Sequence, residues 1–348
     1  MAEIDTLLEE TLANGGSDLH LSVGAPPKIR VSGRIQELDY EPFTLELMEG
    51  LLKEFIHPHR WEQFLAGKDV DIAYEIPGKA RFRTNLFRNH WGPATVLRQI
   101  PTDIQSIDTL GLPQTLKTLA SERSGLILVT GPTGSGKSTT LAATLNHINE
   151  NFCKEIITLE DPVEFTHTDK NSTFIHREVT EHTHSYSSGL RSAMRADPDV
   201  ILIGELRDCE TMRLALTCAT MGMLVFATVH TNSAAKTIDR IIDAFPAEEQ
   251  DQIRILLAES LRGVVSQILC RKKEGGRVPA FEILTYHQSL PNSIRQNSLS
   301  SIKNLIDQNR DQGMISLDAS IRKLLNDGVI DQDEAYMKAN DKSAFRPT

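Results

Sequence analysis

The spacing of apolar and polar residues divides the chain into two regions with different patterns. Near the start, apolar positions repeat at helical spacing, as at Ile4, Leu7 and Leu8, and further on they alternate with polar positions. Alternation with a period of two is typical of strands that are buried on one face. The strand signals lie at 18–23, 29–31, 33–35, 71–76, 80–87 and 94–100, and a helical stretch covers about 44–66. This pattern predicts a small α+β domain over residues 1–100.

The second region begins at about residue 125, where short apolar strands alternate with helical stretches. The strand signals lie at 126–130, 156–160, 200–204 and 224–230. Such alternation favours a mainly parallel sheet with helices on both faces. We predict an α/β domain over 125–348 whose last part, from about 290, is helical and polar. Residues 101–124 are predicted to be a linker and hinge with a short helix, because few apolar residues there can pack.

A glycine-rich segment at residues 131–138 follows the first strand of the second region. Its sequence, Gly-Pro-Thr-Gly-Ser-Gly-Lys-Ser, fits the phosphate-loop pattern G-x-x-x-x-G-K-[ST], and a helical run follows it. The glycines let the backbone wrap closely around phosphates, and the helix N-terminus supplies positive potential. Lys137 should reach the β- and γ-phosphates of ATP, and the Ser138 hydroxyl should hold Mg²⁺. The predicted ATP-binding residues are Gly131, Pro132, Thr133, Gly134, Ser135, Gly136, Lys137, Ser138 and Thr139.

Carboxylates follow two of the predicted strands. Glu205 comes after the strand at 200–204, where Gly204 takes the position of the aspartate that usually supports Mg²⁺. Three further acids, Glu160, Asp161 and Glu164, come at the end of the strand at 156–160. Ligands bind beyond the carboxyl ends of strands in an open α/β sheet, so these acids should lie near the phosphate loop. One of them can orient or deprotonate the attacking water.

His230 closes the strand at 224–230, where a polar side chain could sense the γ-phosphate through a hydrogen bond. A single histidine at a strand end is more often structural, so the residue pattern alone leaves both roles open.

The charge and composition exclude several classes of partner. The net charge is −10, whereas nucleic-acid binding favours a basic face that neutralises phosphates, so no nucleic acid is expected. Apolar runs reach only four or five residues, far short of the roughly 18 that span a bilayer. The acidic start of the chain lacks the basic region of a secretory signal. We therefore expect a cytoplasmic protein.

Four segments occur in one order: GPTGSGKST, ITLEDPVEF, RADPDVILIGELRD and TVHTNSAAKTIDRIIDAFP. This set resembles the Walker A, Asp box, Walker B and His box of the type II/IV secretion ATPase superfamily, in the PilT/PilU branch of type IV pilus retraction ATPases. SDLHLSVGAPPKIRVSGR resembles the N-terminal PAS-like domain of that branch, and FPAEEQDQIRILLAESLRGVVSQ resembles the helix after the His box. The resemblance implies a RecA-like P-loop ATPase core with an N-terminal α+β PAS-like domain.

The resemblance also implies a function. Such proteins are homo-hexameric ATP-hydrolysing motors that act at the cytoplasmic face of the inner membrane, bind a pilus platform protein and power pilus retraction in twitching motility. A paralogous retraction ATPase is a further expected partner. Peripheral attachment is the only membrane association expected.

The residue roles implied by the resemblance follow the motifs. Glu205 is the expected catalytic base, Glu164 supports the water or the metal, and His230 senses the phosphate. Glu160 and Asp161 join Ser138 as expected metal ligands. Charge-stabilising arginines are expected among Arg81, Arg83 and Arg98, and among Arg191 and Arg195, which lie four apart on one helical face.

Three other functions stay open at this stage. An extension or type II secretion ATPase is disfavoured because the chain lacks the paired C-x-x-C module and the extra N-terminal domain. A DNA motor is disfavoured because the chain is acidic. Intact Lys137, Ser138 and Glu205 disfavour a regulatory subunit that hydrolyses poorly. Met223 and Pro291 depart from the usual PilT pattern, so both PilT-like and PilU-like motors remain possible.

Overall fold

The computed structural model describes residues 3–100 and 103–346, and these form two units. The first unit contains the chain up to residue 103 together with 161–166, and the second contains 104–160 and the chain from 167 onward. Pro101 and Thr102, the start of the predicted linker, lie outside the described residues, as do positions 1–2 and 347–348 at the ends of the predicted domains.

The first unit is built on an antiparallel sheet with strand order β3-β2-β1-β6-β5-β4. Its strands are β1 Gly16–Ser22, β2 Lys28–Val31, β3 Arg34–Glu37, β4 Val70–Ile76, β5 Ala80–Asn89 and β6 Gly92–Ile100. Its helices are α1 Glu3–Ala13, α2 Leu45–Phe55 and α3 Pro58–Leu65. The helix predicted over 44–66 is therefore two helices. Pro58 separates them because it lacks an N–H and suits the first position of a new helix.

The strands of this sheet alternate between an apolar and a polar face. Leu19, Phe82 and Leu97 are fully buried and pack in one cluster with Leu8 of α1 and Leu52 of α2. The side chains between these positions point to the other face, because successive residues of a strand alternate. The predicted α+β character of this region is confirmed.

The second unit is built on a sheet with strand order β13-β12-β7-β11-β10-β8-β9. Its strands are β7 Gly125–Thr130, β8 Glu155–Glu160, β9 Thr173–Glu178, β10 Val200–Ile203, β11 Leu224–Val229, β12 Leu261–Arg271 and β13 Arg277–Thr285. Neighbouring strands are parallel except for the antiparallel hairpin of β12 and β13. Its helices are α4 Thr115–Ala120, α5 Lys137–Asn151, α6 Tyr186–Ala193, α7 Cys209–Thr220, α8 Ala234–Asp243, α9 Ala247–Ser260, α10 Leu290–Arg295, α11 Leu299–Gln308, α12 Leu317–Asn326 and α13 Gln332–Lys338.

Helices cover both faces of this sheet, as the run of apolar residues in β7 requires. Leu126 and Leu128 belong to a buried cluster with residues of α7, α8 and α9, whereas Ile127 and Val129 belong to a second cluster with α4 and α5. Every residue of β7 is buried. The RecA-like α/β fold is thus present, with one antiparallel strand at the edge.

Three predictions about this unit are wrong. The predicted linker was expected to contain few packed apolar residues. In its described part, however, Leu112, Leu116 and Leu119 are buried in the cluster that contains Phe281. The helix predicted to follow the His box ends at Ser260, and the chain continues as β12. In addition, the segment 161–166, which was predicted within the ATPase domain, clusters with the first unit.

The two departures from the usual PilT pattern fit this core. Pro291 lies in the first turn of α10, where its missing N–H has no helical partner to lose. Met223 packs partly buried against the main core, and its carbonyl accepts a hydrogen bond from the Gly125 N–H at 3.0 Å. Met223 therefore contributes to the packing of the second unit, and Pro291 to the start of α10. Among the described residues, no helix combines the length and apolar composition of a membrane span.

His167 is buried between α5 and β9. Its ring stacks on Phe174 with centroids 4.3 Å apart, and its Nε2 lies 3.1 Å from the carbonyl oxygen of Ala142. Its other ring nitrogen, Nδ1, has no hydrogen-bond partner. Burial, with the nearby His176 and Lys170, lowers the pKa of His167 to about 4 although the bond to Ala142 acts in the opposite direction.

The low pKa of His167 should make the protein less stable in acid. The unfolded chain binds a proton at this residue below about pH 6.5, whereas the folded chain does so only near pH 4, so stability falls across that interval. Between pH 7.5 and pH 5 the loss from this residue should be about 2 kcal/mol. Urea unfolding of wild type and His167→Phe should show the smaller pH dependence in the variant, and parallel curves would contradict this.

Candidate functional site

The structure brings the four motif segments to one edge of the second sheet. β7, β11, β10 and β8 are consecutive parallel neighbours. The phosphate loop (residues 131–138) follows β7, His230 follows β11, and Glu205 lies just beyond β10. Glu160 is the last residue of β8. Because parallel strands end at the same edge, a ligand at this edge meets residues from four strands.

The phosphate loop is folded back on itself and leads directly into α5. Its lysine, Lys137, donates from Nζ to the carbonyl oxygens of Gly131 at 2.9 Å and Pro132 at 3.1 Å. Gly136 stands at the start of α5 with φ of 89°, a conformation that glycine adopts at little cost. The loop therefore places a lysine ammonium beside the N-terminus of a long helix, which is an arrangement suited to phosphates.

Gln267 of β12 lies against the phosphate loop. This residue was not predicted from the sequence. A side-chain carbon at Gly131 would lie 2.2 Å from the Gln267 carbonyl oxygen, and one at Gly136 would lie 2.9 Å from its Nε2. A side chain at Gly131 would clash with backbone, and one at Gly136, where φ is 89°, would be strained and would displace the Gln267 amide, so both positions favour glycine. The signal for Gln267 was a polar residue within an apolar run, but the run had been interpreted as helix.

The Glu205 carboxylate is held by two basic side chains. Its Oε2 lies 2.8 Å from an Nη of Arg207, and its Oε1 lies 3.2 Å from Nε2 of His230. Burial alone would raise the pKa of Glu205, but the hydrogen bond and charge of Arg207, with a smaller effect of His230, hold the pKa below its ordinary value. Glu205 is therefore ionised at neutral pH and can accept a proton or a hydrogen bond from water. Arg207 was not identified from the sequence, although it lies two residues from Glu205.

Gly204 occupies a tightly packed position just beyond β10. A carbon added there would lie 3.1 Å from the Tyr186 hydroxyl and 3.3 Å from Cα of Glu160. Its N–H donates to the Leu159 carbonyl at 2.7 Å, and its carbonyl accepts from the Thr228 hydroxyl. An aspartate here would have to displace these neighbours by a few tenths of an ångström, and Glu205 is the acid just beyond β10.

The residues at this edge fit a Mg²⁺ that the nucleotide carries with it. Ser138 lies in the first turn of α5 and Glu160 ends β8, so a hydroxyl and a carboxylate are available. Among the described residues, no group of three or more His, Cys, Asp or Glu side chains could enclose a metal. Mg²⁺ usually takes only one or two protein ligands together with phosphates and waters. Asp161, the third expected ligand, clusters with the first unit.

The arginines predicted in the first unit lie on the polar face of its sheet. Arg83 and Arg98 are directly opposite each other on β5 and β6. Arg98 donates to the buried carboxylate of Asp18 at 2.7 Å, and the hydrogen bonds that Asp18 accepts from Ser17 and Arg98 hold its pKa low against the effect of burial. Arg81 is paired with Glu75 at 3.1 Å on the same face.

Glu164 also belongs to the first unit. Its Oε1 lies 3.6 Å from an Nη of Arg83. The Nε of Arg83 lies 3.8 Å from a carboxylate oxygen of Asp71. The expected role of Glu164 beside the water or metal stays a prediction.

Arg191 and Arg195 lie at and just beyond the end of α6. Arg191 pairs with Glu210 of α7 at 2.9 Å. Arg195 lies past the last residue of α6, Ala193, and donates to the Arg191 carbonyl at 2.7 Å. The prediction that the two share one helical face is therefore wrong, because the helix ends between them.

Comparisons with known proteins agree with this arrangement. The family model described as type II/IV secretion system protein matches residues 2–335. The chain is 43% identical over 337 residues to the type IV pilus retractation ATPase PilT of Pseudomonas aeruginosa, covering 97% of this chain and 98% of that protein. It is 42% identical over 320 residues to a twitching motility protein of Neisseria gonorrhoeae, covering 92% and 86%. A crystal structure of the pilus retraction motor PilT with bound ADP matches with a TM-score of 0.91 at 39% identity, covering 99% of both chains.

Proposed function

The chain belongs to the type II/IV secretion system protein family, in the branch of the pilus retraction ATPases, and we propose that it hydrolyses ATP to power type IV pilus retraction. The observation that carries the proposal is the ionised Glu205 carboxylate, held by Arg207 and His230 two strands away from the phosphate loop. A binding protein without turnover has no need of a carboxylate fixed in this way.

In this proposal each motif residue at the edge of the second sheet has a physical role. The loop N–H groups, Lys137 and the N-terminus of α5 bind the β- and γ-phosphates. Glu205 orients the attacking water and accepts its proton, and His230 holds Glu205 and meets the terminal phosphate. Ser138 and Glu160 are the protein ligands for Mg²⁺, which neutralises phosphate charge when it is bound.

The assembly is also part of the proposal. We propose that the chain forms a homo-hexameric ring at the cytoplasmic face of the inner membrane and acts on a pilus platform protein, alone or with a paralogous retraction ATPase. Arginines of the first unit, Arg81, Arg83 or Arg98, then stabilise charge on the phosphates. Movement of the first unit against the second, driven by hydrolysis, deforms the ring and turns the platform protein.

A deletion strain tests the function directly. Loss of the gene should leave many surface pili that do not retract and should abolish twitching, and wild-type protein should restore it while Lys137→Ala should not. Loss of the pili themselves would indicate an extension motor. Normal twitching together with no ATP turnover by the purified hexamer would indicate a regulatory subunit.

A further inference from the structure

The side chain of Gln267 joins β12 to two parts of the nucleotide-binding segment. It is 3% exposed, and both ends of its amide are used. Nε2 donates to the carbonyl oxygen of Ser135 in the phosphate loop at 2.7 Å, and Oε1 accepts from the hydroxyl of Thr140 in α5 at 2.7 Å. One amide therefore fixes the loop and the start of the helix that follows it.

The bond to Ser135 fixes the direction of a peptide group in the loop. The peptide between Ser135 and Gly136 is planar and trans, so its C=O and N–H point in opposite directions. Because Gln267 holds the C=O toward β12, the Gly136 N–H is directed away from that strand. Backbone N–H groups of a phosphate loop are its donors to phosphate oxygens, so this bond sets the orientation of one donor.

β12 also approaches the phosphate loop closely, which restricts movement of the loop toward that strand. The Gln267 backbone lies against Gly131 at the start of the loop, and its side chain lies against Gly136 at the end. The N–H of Thr140 in turn donates to the Gly136 carbonyl at 3.0 Å. Gln267 thus lies close to the loop at Gly131 and Gly136 and is hydrogen-bonded to it at Ser135.

We propose that Gln267 is a positioning residue that presets the phosphate loop for the phosphates of the nucleotide. The inference rests on the proposed binding of ATP. A site that is already ordered binds more tightly, because the ligand does not have to order it. The contact needs a donor toward Ser135 and an acceptor toward Thr140 at once, which an amide supplies and an ionised carboxylate does not. Loss of two buried hydrogen bonds should weaken nucleotide binding by about 10- to 100-fold.

Ser266 provides the matched control. It is the preceding residue of β12, it is also 3% exposed, and its hydroxyl is 2.7 Å from that of Thr130 in β7. Ser266→Ala therefore removes a buried hydrogen bond from the same strand without touching the loop. ATP and ADP dissociation constants, kcat and KM are measured for wild type, Gln267→Leu, Gln267→Glu and Ser266→Ala, with urea unfolding of each.

The positioning role predicts a specific pattern. Gln267→Leu should raise both dissociation constants and KM by about 10- to 100-fold, with a smaller fall in kcat, while Ser266→Ala stays within about twofold of wild type. Gln267→Glu should bind poorly at pH 8 and recover relative to wild type as the pH falls, because a protonated carboxyl can again donate to Ser135. Urea unfolding of each variant at the same pH values separates this recovery of affinity from a recovery of stability.

Several results would overturn the inference. Unchanged affinity in Gln267→Leu, or equal losses in Gln267→Leu and Ser266→Ala, would show that Gln267 does not act through the loop. If Gln267→Leu does not fold, the test is Gln267→Glu. A nucleotide affinity of Gln267→Glu equal to that of wild type at every pH would also show that Gln267 does not act through the loop. A wild-type protein that binds no nucleotide would overturn the proposed function as well, so the two failures are distinguishable.

Discussion

Replacing Glu205 with glutamine is expected to lower the kcat of ATP hydrolysis by about 10²–10⁴-fold, the usual contribution of a general base. Glutamine keeps the size of the side chain and can still accept a hydrogen bond from Arg207 or His230, but it cannot take a proton from water. Phosphate binding by the loop is left intact, so the dissociation constant for ATP should change little. Steady-state turnover and equilibrium ATP binding measure the two quantities separately.

The matched control for Glu205 is Asp251→Asn. Asp251 is a carboxylate on α9 that is 96% exposed and pairs with Arg254, so this change alters charge by the same amount away from the site. Its turnover should equal that of wild type. Equal turnover in wild type and Glu205→Gln would remove Glu205 from its role as base.

Arg83→Ala is expected to lower kcat by about 10³–10⁵-fold, the range reported for an arginine that stabilises transferring phosphate. Among the three arginines of the polar face, Arg98 is engaged by Asp18 at 2.7 Å and Arg81 by Glu75 at 3.1 Å. The contacts of Arg83 are longer, at 3.6 and 3.8 Å. An arginine with loose contacts gives up less when it turns toward a phosphate.

Arg30→Ala serves as the control, because Arg30 lies on the same sheet and donates to the Gly33 carbonyl at 3.0 Å. Mixing experiments extend the test. In the proposed ring, Arg83→Ala subunits mixed with Lys137→Ala subunits should regain turnover when the arginine acts on the nucleotide of a neighbour. A turnover of Arg83→Ala equal to that of Arg30→Ala would exclude Arg83 from this role.

The edge of the sheet that carries the motifs could be predicted from the sequence. Short apolar strands with β-branched residues, each followed by a polar residue, lead to one geometry, because parallel strands end together. His230 and Glu205 are far apart in the chain, yet the rule places them at adjacent strand ends, and in the structure they are 3.2 Å apart.

Other features could not be predicted because they depend on contacts that leave no local pattern. Gln267 meets Ser135 across 132 positions of the chain, and the segment around it follows directly on a helix without a turn residue. Leu112, Leu116 and Leu119 have the three- and four-residue spacing of a packed helix. A short helix was therefore predicted here, but its packing in one cluster with Phe281 was not, because that residue lies far along the chain.

β7 packs against a different helix layer on each face, which makes the chain unequal in its tolerance of length changes. Inserting one residue in β7 would move Leu126 and Leu128 to the face that Ile127 and Val129 now occupy, because side chains alternate along a strand. Each helix layer would then pack against the side chains that now face the opposite layer. The turn at 272–276 between β12 and β13 is exposed at every position. Natural insertions, or an affinity tag, can therefore be accommodated in that turn while the nucleotide-binding edge keeps its register.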